Sequence, residues 1–489
     1  MLNKWKQTIS KFVCFVLTCQ LFILTTWAKP DWPSDTGIMA EAGIVMDMDS
    51  GAILYGQNIH LTYPPASITK ILTALIVLEN CNLDDTVTFS TTAVNQVEAD
   101  SGNKISVVAG DQLSVEDCLY SMLLVSCNQA ANALAEHTAG SISAFVNMMN
   151  EKLAQLGCQE SHFENPSGLN GDNQYVSAYD MALIAQAAYD NETLVEISSA
   201  TTHKIAPTTQ NPDGFTIRGE HRLCVTEDPS SPYYYPEAVA GKTGYLIKAG
   251  NTLVTYAVKD NRRLISVILK GQPRQYFVDG KALLEFGFRS FQDYTVADYE
   301  SRYVTGNETI NLDKGSFQAS DLMIDPDSVI TLPNSASFED ADITLGALPE
   351  ISPDNAVALL TYSYNDRTIG TAYLLAKDGV TIDGNDSASE AATTAFDTAN
   401  AEAPLATASN AEKPQRPHKH ISVAGVLITI LIVLLVLGVI GLISWFIYSK
   451  KKEAKALAKR RERRRQRLQR SGDEEEFERL LAEYKNKKK

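Results

Sequence analysis

The 489-residue sequence predicts an α+β protein with an antiparallel sheet and helices, followed by a small all-β domain, a stalk and a single transmembrane helix. Strand-like alternation occurs at residues 43–55 and 252–269, and apolar helical patterns lie between these segments. Alternation returns at 357–376, and an uncharged apolar run occupies 423–448. The length accommodates more than one domain and a sizeable core.

The N-terminus predicts a secretory signal peptide over residues 1–28. Three lysines precede the apolar run 12–27, and Ala28 offers a small residue at a cleavage point. An uncleaved N-terminal anchor is the alternative, because the apolar run approaches the length that spans a bilayer.

Charge and cysteine usage exclude several function classes. The net charge is −16, and because basic residues gather near the C-terminus, the part between signal peptide and tail is strongly acidic. This argues against nucleic acid as a partner of the folded part. Neither a disulfide framework nor a zinc site is indicated, although a single bridge stays open, because the five cysteines after the predicted cleavage site lack Cys-x-x-Cys spacing. They are Cys81, Cys118, Cys127, Cys158 and Cys224.

The stretch 64–72 carries a candidate nucleophile. Two prolines lead into Ser67, and the following run 68–78 is apolar on nearly every face, which predicts a buried helix. Lys70 follows Ser67 by three residues and therefore faces the same way. A buried ammonium tends to lose its proton, so Lys70 is a candidate base for the Ser67 hydroxyl. A capping serine beside a snorkelling lysine is the alternative.

Two further motifs carry polar groups. Ser126 and Asn128 stand between the predicted helices 115–125 and 129–137, where they can present a hydroxyl and an amide to one cleft, or simply cap the helices. The alternation after residue 250 places the tripeptide 242–244 on an antiparallel strand. Its anion-binding chemistry is a lysine charge and a threonine hydroxyl beside a glycine that admits a substrate backbone. These residues are Lys242, Thr243 and Gly244.

Taken together, the ordered motifs resemble the serine penicillin-binding proteins and β-lactamases. The resemblance is closer to the low-molecular-mass D-alanyl-D-alanine carboxypeptidases over about residues 38–290, with matching stretches at 65–70, 145–150, 163–169 and 241–250. Cys127 departs from the family pattern, which usually has glycine there, and we expect it to crowd the cleft or make it thiol-sensitive. Leu246 stands where a small or polar residue is commoner.

The resemblance implies a fold, a reaction and a set of roles. It implies a transpeptidase-like domain in which Ser67 attacks the bond between two terminal D-alanines of a peptidoglycan pentapeptide stem, forms an acyl-enzyme and releases D-alanine. Lys70 would serve as base, while Ser126 with Lys242 would pass a proton to the leaving amine. β-Lactams would be covalent inhibitors, and no metal or organic cofactor is implied.

The remaining motif residues are implied to bind substrate. Asn128 would hold a substrate amide, and Lys242 with Thr243 would bind the terminal carboxylate. Gly244 allows close approach, and the backbone N–H groups of Ser67 and Tyr245 would form an oxyanion hole worth ~3 kcal/mol per donor.

The rest of the chain divides by composition. After the catalytic domain at 29–292, short alternating segments predict a small all-β domain at 293–383 with a hairpin around Asn365. Residues 384–420 lack apolar periodicity and predict a flexible linker that serves as the stalk.

The C-terminal end predicts a membrane anchor. Residues 421–448 are long enough to cross ~30 Å of hydrocarbon, and the basic tail 449–489 would stay in the cytoplasm. The catalytic domain is then expected on the outer face of a bacterial cytoplasmic membrane, acting in cell-wall maturation.

Two other functions share the three motifs. A β-lactamase needs a deacylating glutamate, usually with an asparagine four residues on, but Glu164 and Asn170 are six apart. A receptor that binds penicillin or muropeptides without turnover is the non-enzyme alternative.

Overall fold

The computed structural model describes residues 29–97, 102–349 and 351–382. The predicted signal peptide, stalk, transmembrane helix and basic tail lie outside these residues. Among the helices that are described, none combines the length and the apolar character needed to cross a bilayer.

Strands and helices alternate along the described chain. The strands are β1 (Ala42–Asp47), β2 (Ile53–Gln57), β3 (Thr62–Tyr63), β4 (Thr86–Thr88), β5 (Gln112–Ser114), β6 (Val176–Ser177), β7 (Thr202–Ile205), β8 (Phe215–Arg218), β9 (Ala238–Leu246), β10 (Gly250–Lys259), β11 (Arg262–Gly271), β12 (Phe291–Thr295), β13 (Thr309–Leu312), β14 (Gly315–Gln318), β15 (Leu322–Ile324), β16 (Val329–Pro333), β17 (Asp342–Gly346), β18 (Ala356–Tyr364) and β19 (Arg367–Ala376). The α-helices are α1 (Lys70–Asn80), α2 (Thr91–Asn95), α3 (Val115–Leu124), α4 (Asn128–Ala139), α5 (Ile142–Gln155), α6 (Ala178–Tyr189), α7 (Glu192–Ser199), α8 (Arg222–Val225), α9 (Gln275–Ser290) and α10 (Val296–Tyr299).

A five-stranded sheet organises the first region, in the order β2-β1-β11-β10-β9. All its pairs are antiparallel, and the predicted hairpin at 43–55 supplies β1 and β2. Along β1, Ile44 and Met46 join the core on one face, and Val45 joins the core on the other. The sheet is therefore covered on both faces, which explains why the whole of β1 is buried. β9 lies at an edge.

Helix α1 runs through the core beside the sheet. Every residue from Lys70 to Val77 is buried, as the unbroken apolar run predicted. One boundary differs from the prediction: Ser67 lies in a 3₁₀ turn, Ala66–Thr69, and the α-helix begins only at Lys70. The turn leaves Ser67 partly exposed at the head of a buried helix.

A second, all-β region follows α9 and has its own apolar core. Its main sheet is antiparallel in the order β15-β19-β18-β17. The predicted hairpin is confirmed, because β18 pairs with β19 around Asn365 and Asp366, which both adopt positive φ angles of 48° and 62°. Two short residues in this conformation give the twist that a tight hairpin requires.

Buried polar groups join the all-β region to the sheet. Arg262 of β11 donates to Asp47 of β1 at 3.0 Å and to Asp293 of β12 at 2.8 Å. Thr331 of β16 donates to Asp293 at 2.8 Å and lies 2.7 Å from the Ser50 hydroxyl. We call these five residues the junction cluster. It stabilises the contact because each charge has an opposite partner.

The first described residues cross between the same two regions. Lys29 pairs with Asp342 of β17 at 2.5 Å, and the carbonyl of Pro30 accepts from Tyr364 of β18 at 2.7 Å. Trp32 then donates to the carbonyl of Leu54 in β2 at 2.9 Å. The N-terminal segment therefore bonds to both the all-β region and the sheet.

Candidate active site

The structure brings the residues of all three motifs together in one cleft. Lys70 Nζ lies 3.0 Å from Ser67 Oγ and donates to Asn128 Oδ1 at 2.7 Å. Lys242 Nζ donates to Ser126 Oγ at 3.1 Å. Two amines, two hydroxyls and one amide that are distant in sequence thus share a small volume, which chance motif matches would not produce.

The turn that carries Ser67 is held from several sides. Ala66 has a φ angle of 52°, a left-handed conformation that costs a non-glycine residue ~1–2 kcal/mol. Thr252 of β10 donates to the carbonyl of Pro65 at 2.9 Å, and a Cβ on Gly168 would lie 1.9 Å from the Ala66 carbonyl oxygen. These contacts fix the strained turn and so aim Ser67.

Lys70 is fully buried, and its amine contacts three oxygen atoms. Besides Ser67 Oγ, its Nζ contacts Asn128 Oδ1 and, at 2.5 Å, the carbonyl oxygen of Ser167. Burial, together with the charge of Lys242, holds the pKa of Lys70 well below its usual range. A neutral amine has two N–H groups and one lone pair. If the two carbonyl-type acceptors take the N–H groups, the lone pair is left facing the Ser67 hydroxyl.

The loop that supplies the Ser167 carbonyl is a site element to which the sequence analysis gave no role. Thr73 of α1 donates to the carbonyl of Pro166 at 2.7 Å, and Asn165 Oδ1 accepts from the N–H of Gly168 at 2.8 Å. The loop is thereby tied both to α1 and to itself. The stretch 163–169 was part of the family resemblance, but its residue types do not indicate that a backbone carbonyl oxygen contacts the Lys70 amine.

Ser126 stands at the predicted helix junction, between α3 and α4. Its φ angle of 63° is again left-handed, so the residue breaks the helical path and turns its hydroxyl toward Lys242. Cys127 is fully buried in the core, with Sγ 3.6 Å from Gln129 Oε1, and burial raises the pKa of its thiol to about 11. A protonated, core-packed thiol disfavours the expectation of a thiol-sensitive cleft.

Lys242 lies on edge strand β9, as predicted, but it is buried with only 2% of its surface exposed. It donates to the carbonyl of Thr243 at 2.8 Å as well as to Ser126. Burial lowers the pKa of Lys242 to about 8, opposed by the carboxylate of Glu220. Near neutral pH the group is therefore still mostly charged and suited to an anion.

Packing requires glycine at position 244, for a reason that the sequence did not predict. A Cβ at this position would lie 2.4 Å from Thr252 Oγ1 and 2.8 Å from the backbone N of Ser67. Glycine thus lets β9 pack directly against the nucleophile turn. Tyr245 follows on the same strand with 63% of its surface exposed beside the cleft.

The other chemistry-bearing side chains lie in ordinary structural contacts. Glu164 accepts from the backbone N–H of Asn173 at 3.2 Å, and the His162 ring lies tilted beside that of Tyr175. All five cysteines within the described residues are free thiols. Across the same residues, no group of three His, Cys, Asp or Glu side chains is placed to hold a metal ion.

Comparisons with known proteins agree with this geometry. A sequence model of the D-alanyl-D-alanine carboxypeptidase family matches residues 29–272. A D-alanyl-D-alanine carboxypeptidase of Mycobacterium tuberculosis is 34% identical over 265 residues, which cover 53% of this chain and 84% of that protein. This chain belongs to the D-alanyl-D-alanine carboxypeptidase family.

Two further comparisons extend the match. The Haemophilus influenzae D-alanyl-D-alanine carboxypeptidase is 31% identical over 354 residues, which cover 69% of this chain and 84% of that protein. Penicillin-binding protein 6B of Escherichia coli superposes with a TM-score of 0.52 at 23% identity, over 71% of this chain and 98% of that one. This likeness confirms the predicted penicillin-binding-protein fold of an antiparallel sheet with helices.

Proposed function

We propose that this protein is a serine-type D-alanyl-D-alanine carboxypeptidase that removes the terminal D-alanine from peptidoglycan pentapeptide stems. The observation that carries the proposal is the buried Lys70 amine 3.0 Å from Ser67 Oγ, in a cleft that a second lysine completes. Membership of the family supports the same substrate.

Acylation begins at the Ser67 hydroxyl. The neutral Lys70 amine takes the hydroxyl proton while Oγ forms a bond to the carbonyl carbon between the two D-alanines. Backbone N–H groups of Ser67 and Tyr245 donate to the developing oxyanion. The carbon–nitrogen bond then breaks, and the departing amine receives a proton through Ser126 from Lys242. D-Alanine leaves, and the shortened stem remains as an ester on Ser67.

In deacylation, the proton transfers run in the opposite direction to those of acylation. One water molecule gives a proton through Ser126 to Lys242, which lost one during acylation, and adds its oxygen to the ester carbon. Lys70 returns the proton that it took to the departing Ser67 oxygen. The product is a stem with a new terminal carboxylate.

Substrate positioning follows from the same contacts. Asn128 Oδ1 is occupied by Lys70, which leaves its amide N–H groups for a carbonyl of the stem. Lys242 and Thr243 bind the terminal carboxylate, and the free edge of β9 accepts the stem as an added strand.

The domain organisation and location are part of the proposal. The catalytic domain spans 29–292 and a small all-β domain spans 293–383, while the signal peptide 1–28 directs export. The stalk 384–420, the single span 421–448 and the cytoplasmic tail 449–489 hold the enzyme on the outer face of the membrane. The apolar run and the basic cluster after it support this arrangement. Protease digestion of intact spheroplasts should remove the catalytic domain but spare the tail.

The decisive experiment supplies the purified full chain with a muramyl pentapeptide and measures free D-alanine. The expected result is repeated turnover that releases one D-alanine per pentapeptide and that stops when Ser67 is replaced by alanine. No release with stable penicillin acylation would favour a receptor, and rapid penicillin hydrolysis would favour a β-lactamase.

A further inference from the structure

An ion pair spans the rim of the cleft beside the Lys242 amine. Lys104 Nζ lies 3.2 Å from Glu220 Oε1, and the two side chains are 46% and 45% exposed. They come from loops 116 residues apart in sequence. An exposed pair of this kind adds little to stability, so its position needs another explanation.

Glu220 is anchored between the end of helix α3 and strand β9. Its backbone N–H donates to the carbonyl of Leu124 at 3.2 Å, two residues before Ser126. The next residue, His221, packs so closely on β9 that a Cβ on Gly241 would lie 2.6 Å from its ring. Glu220 therefore stands next to the contact between Ser126 and Lys242.

Lys104 reaches the rim from the opposite side. The carbonyl of Gly102 accepts from Gln129 Nε2 at 3.2 Å, and Gln129 directly follows the site residue Asn128. Asn103 fixes the same loop by donating to the carbonyl of Val107 at 2.7 Å. The Lys104–Glu220 ion pair therefore lies on loops that bond to helices α3 and α4, which flank the cleft.

The two charges act on Lys242 with opposite signs. After burial, which lowers the pKa of Lys242 most, Glu220 raises that pKa and Lys104 lowers it. Among the other titratable groups, Lys70 and His221 interact with Lys242, Cys127 interacts with Lys104, and Tyr276 interacts with Glu220 and Arg222. Burial lowers the pKa of Lys70 and lowers that of His221 to about 4, while it raises the pKa of Cys127 to about 11 and that of Tyr276 to about 12. None of the four therefore supplies a negative charge near neutral pH.

We propose that Lys104 and Glu220 are positioning residues that act through Lys242. Glu220 keeps the Lys242 amine charged for the terminal carboxylate of the substrate. Lys104 holds the Glu220 carboxylate on the rim, so that it neither pairs with Lys242 nor repels the incoming carboxylate. This inference rests on the proposed function, because it assigns Lys242 to carboxylate binding.

The test compares Glu220→Gln, Lys104→Met and the double variant in the full chain. Removing the negative charge destabilises protonated Lys242, so Glu220→Gln should move the alkaline limb of the kcat/KM profile to lower pH. Lys104→Met should move it to higher pH and raise KM for the pentapeptide about two- to fivefold, the size expected of an exposed pair. The double variant should fall between the single variants.

A matched pair controls for general effects of charge. Glu79 and Lys152 lie 2.7 Å apart near the far end of α1, about 13 Å along the helix from Lys70, so Glu79→Gln and Lys152→Met should leave the profile unchanged. Shifts of the same sign in both rim variants, or no shift in either, would overturn the inference. The pH dependence of penicillin acylation gives a second readout. It reports on the pair even if the wild-type chain releases no D-alanine, a result that would defeat the proposed function instead.

Discussion

The active-site cleft and the junction cluster both bury charged side chains, but they treat them differently. In the cleft, Lys70 and Lys242 are buried together, and neither forms an ion pair with a carboxylate among the described residues. In the junction, buried Arg262 bonds to two carboxylates, those of Asp47 and Asp293. The junction places opposite charges together, whereas the cleft places two amines near one another.

The difference separates a structural role from a chemical one. Arg262 keeps its charge, because its bonds to Asp293 and Asp47 raise its pKa against the effect of burial, and it links two elements. Burial, followed by the charge of Lys242, lowers the pKa of Lys70, which suits this amine to act as a base. Burial alone does not mark a functional site, but burial without an opposite partner does.

The largest effect should follow from removing the cleft amine. Lys70→Ala should lower the rate of penicillin acylation about 10²–10⁴-fold, because Ser67 loses its base, while circular dichroism still reports a folded protein. Mass spectrometry of the acyl-enzyme measures the rate. Lys152→Ala, an exposed lysine on α5, is the control and should acylate normally. An unchanged rate in Lys70→Ala would refute the role of the amine.

The junction should respond in stability rather than in chemistry. Arg262→Met leaves two carboxylates without their partner and should lower the free energy of unfolding by about 3–5 kcal/mol. Arg263 next to it pairs with Asp49 and Asp190 nearer the surface, so Arg263→Met should cost only about 0–1 kcal/mol. Urea titration measures both. Equal losses would mean that burial of the pair is not what matters.

The close packing of β9 against the turn that carries Ser67 is a second feature that is specific to the cleft. Gly244→Ala should reduce acylation about 10²–10³-fold, because the new methyl group must displace the Ser67 N–H that serves the oxyanion. Gly346→Ala on β17 is the control, since a Cβ there meets only the Leu359 carbonyl, at 3.7 Å. If both variants acylate at the wild-type rate, β9 does not constrain the nucleophile turn.

The smallest expected effect is a change in slope with pH. Burial, followed by the charge of Asp293, raises the pKa of Asp47 to about 7, even though Arg262 opposes this. The folded state therefore holds a proton that the unfolded chain releases near pH 4, so this stabilisation is complete below that pH and is lost as the pH rises to about 7. Asp47→Asn should flatten the fall in unfolding free energy across this range. If unfolding free energy falls with pH in parallel for the wild type and the variant, the slope does not come from Asp47.

Sequence reasoning succeeded where spacing fixes direction. Lys70 follows Ser67 by one helical turn, so their side chains must share a face wherever the helix lies. Strand alternation likewise placed Lys242 on β9. The fold and the set of residues that meet in the cleft were predicted through the resemblance of the ordered motifs to the serine penicillin-binding proteins.

Contacts set by tertiary packing could not be predicted in this way. Ala66 and Ser126 carry left-handed backbones that nothing in their residue types announces, because glycine usually takes that conformation. The Ser167 carbonyl is a backbone group, and any residue type supplies one. Lys104 and Glu220 meet only because two loops fold over the same rim.

The N-terminal segment has a consequence for the order of assembly. Lys29 contacts Asp342, and Pro30 contacts Tyr364, at sequence separations of 313 and 334 residues. The first described residues to be synthesised therefore bond to residues that are among the last described ones to be synthesised. Closing so long a loop depends on the rest of the chain folding first. The bonds of Lys29 and Pro30 can therefore form only after the chain has been synthesised through β18.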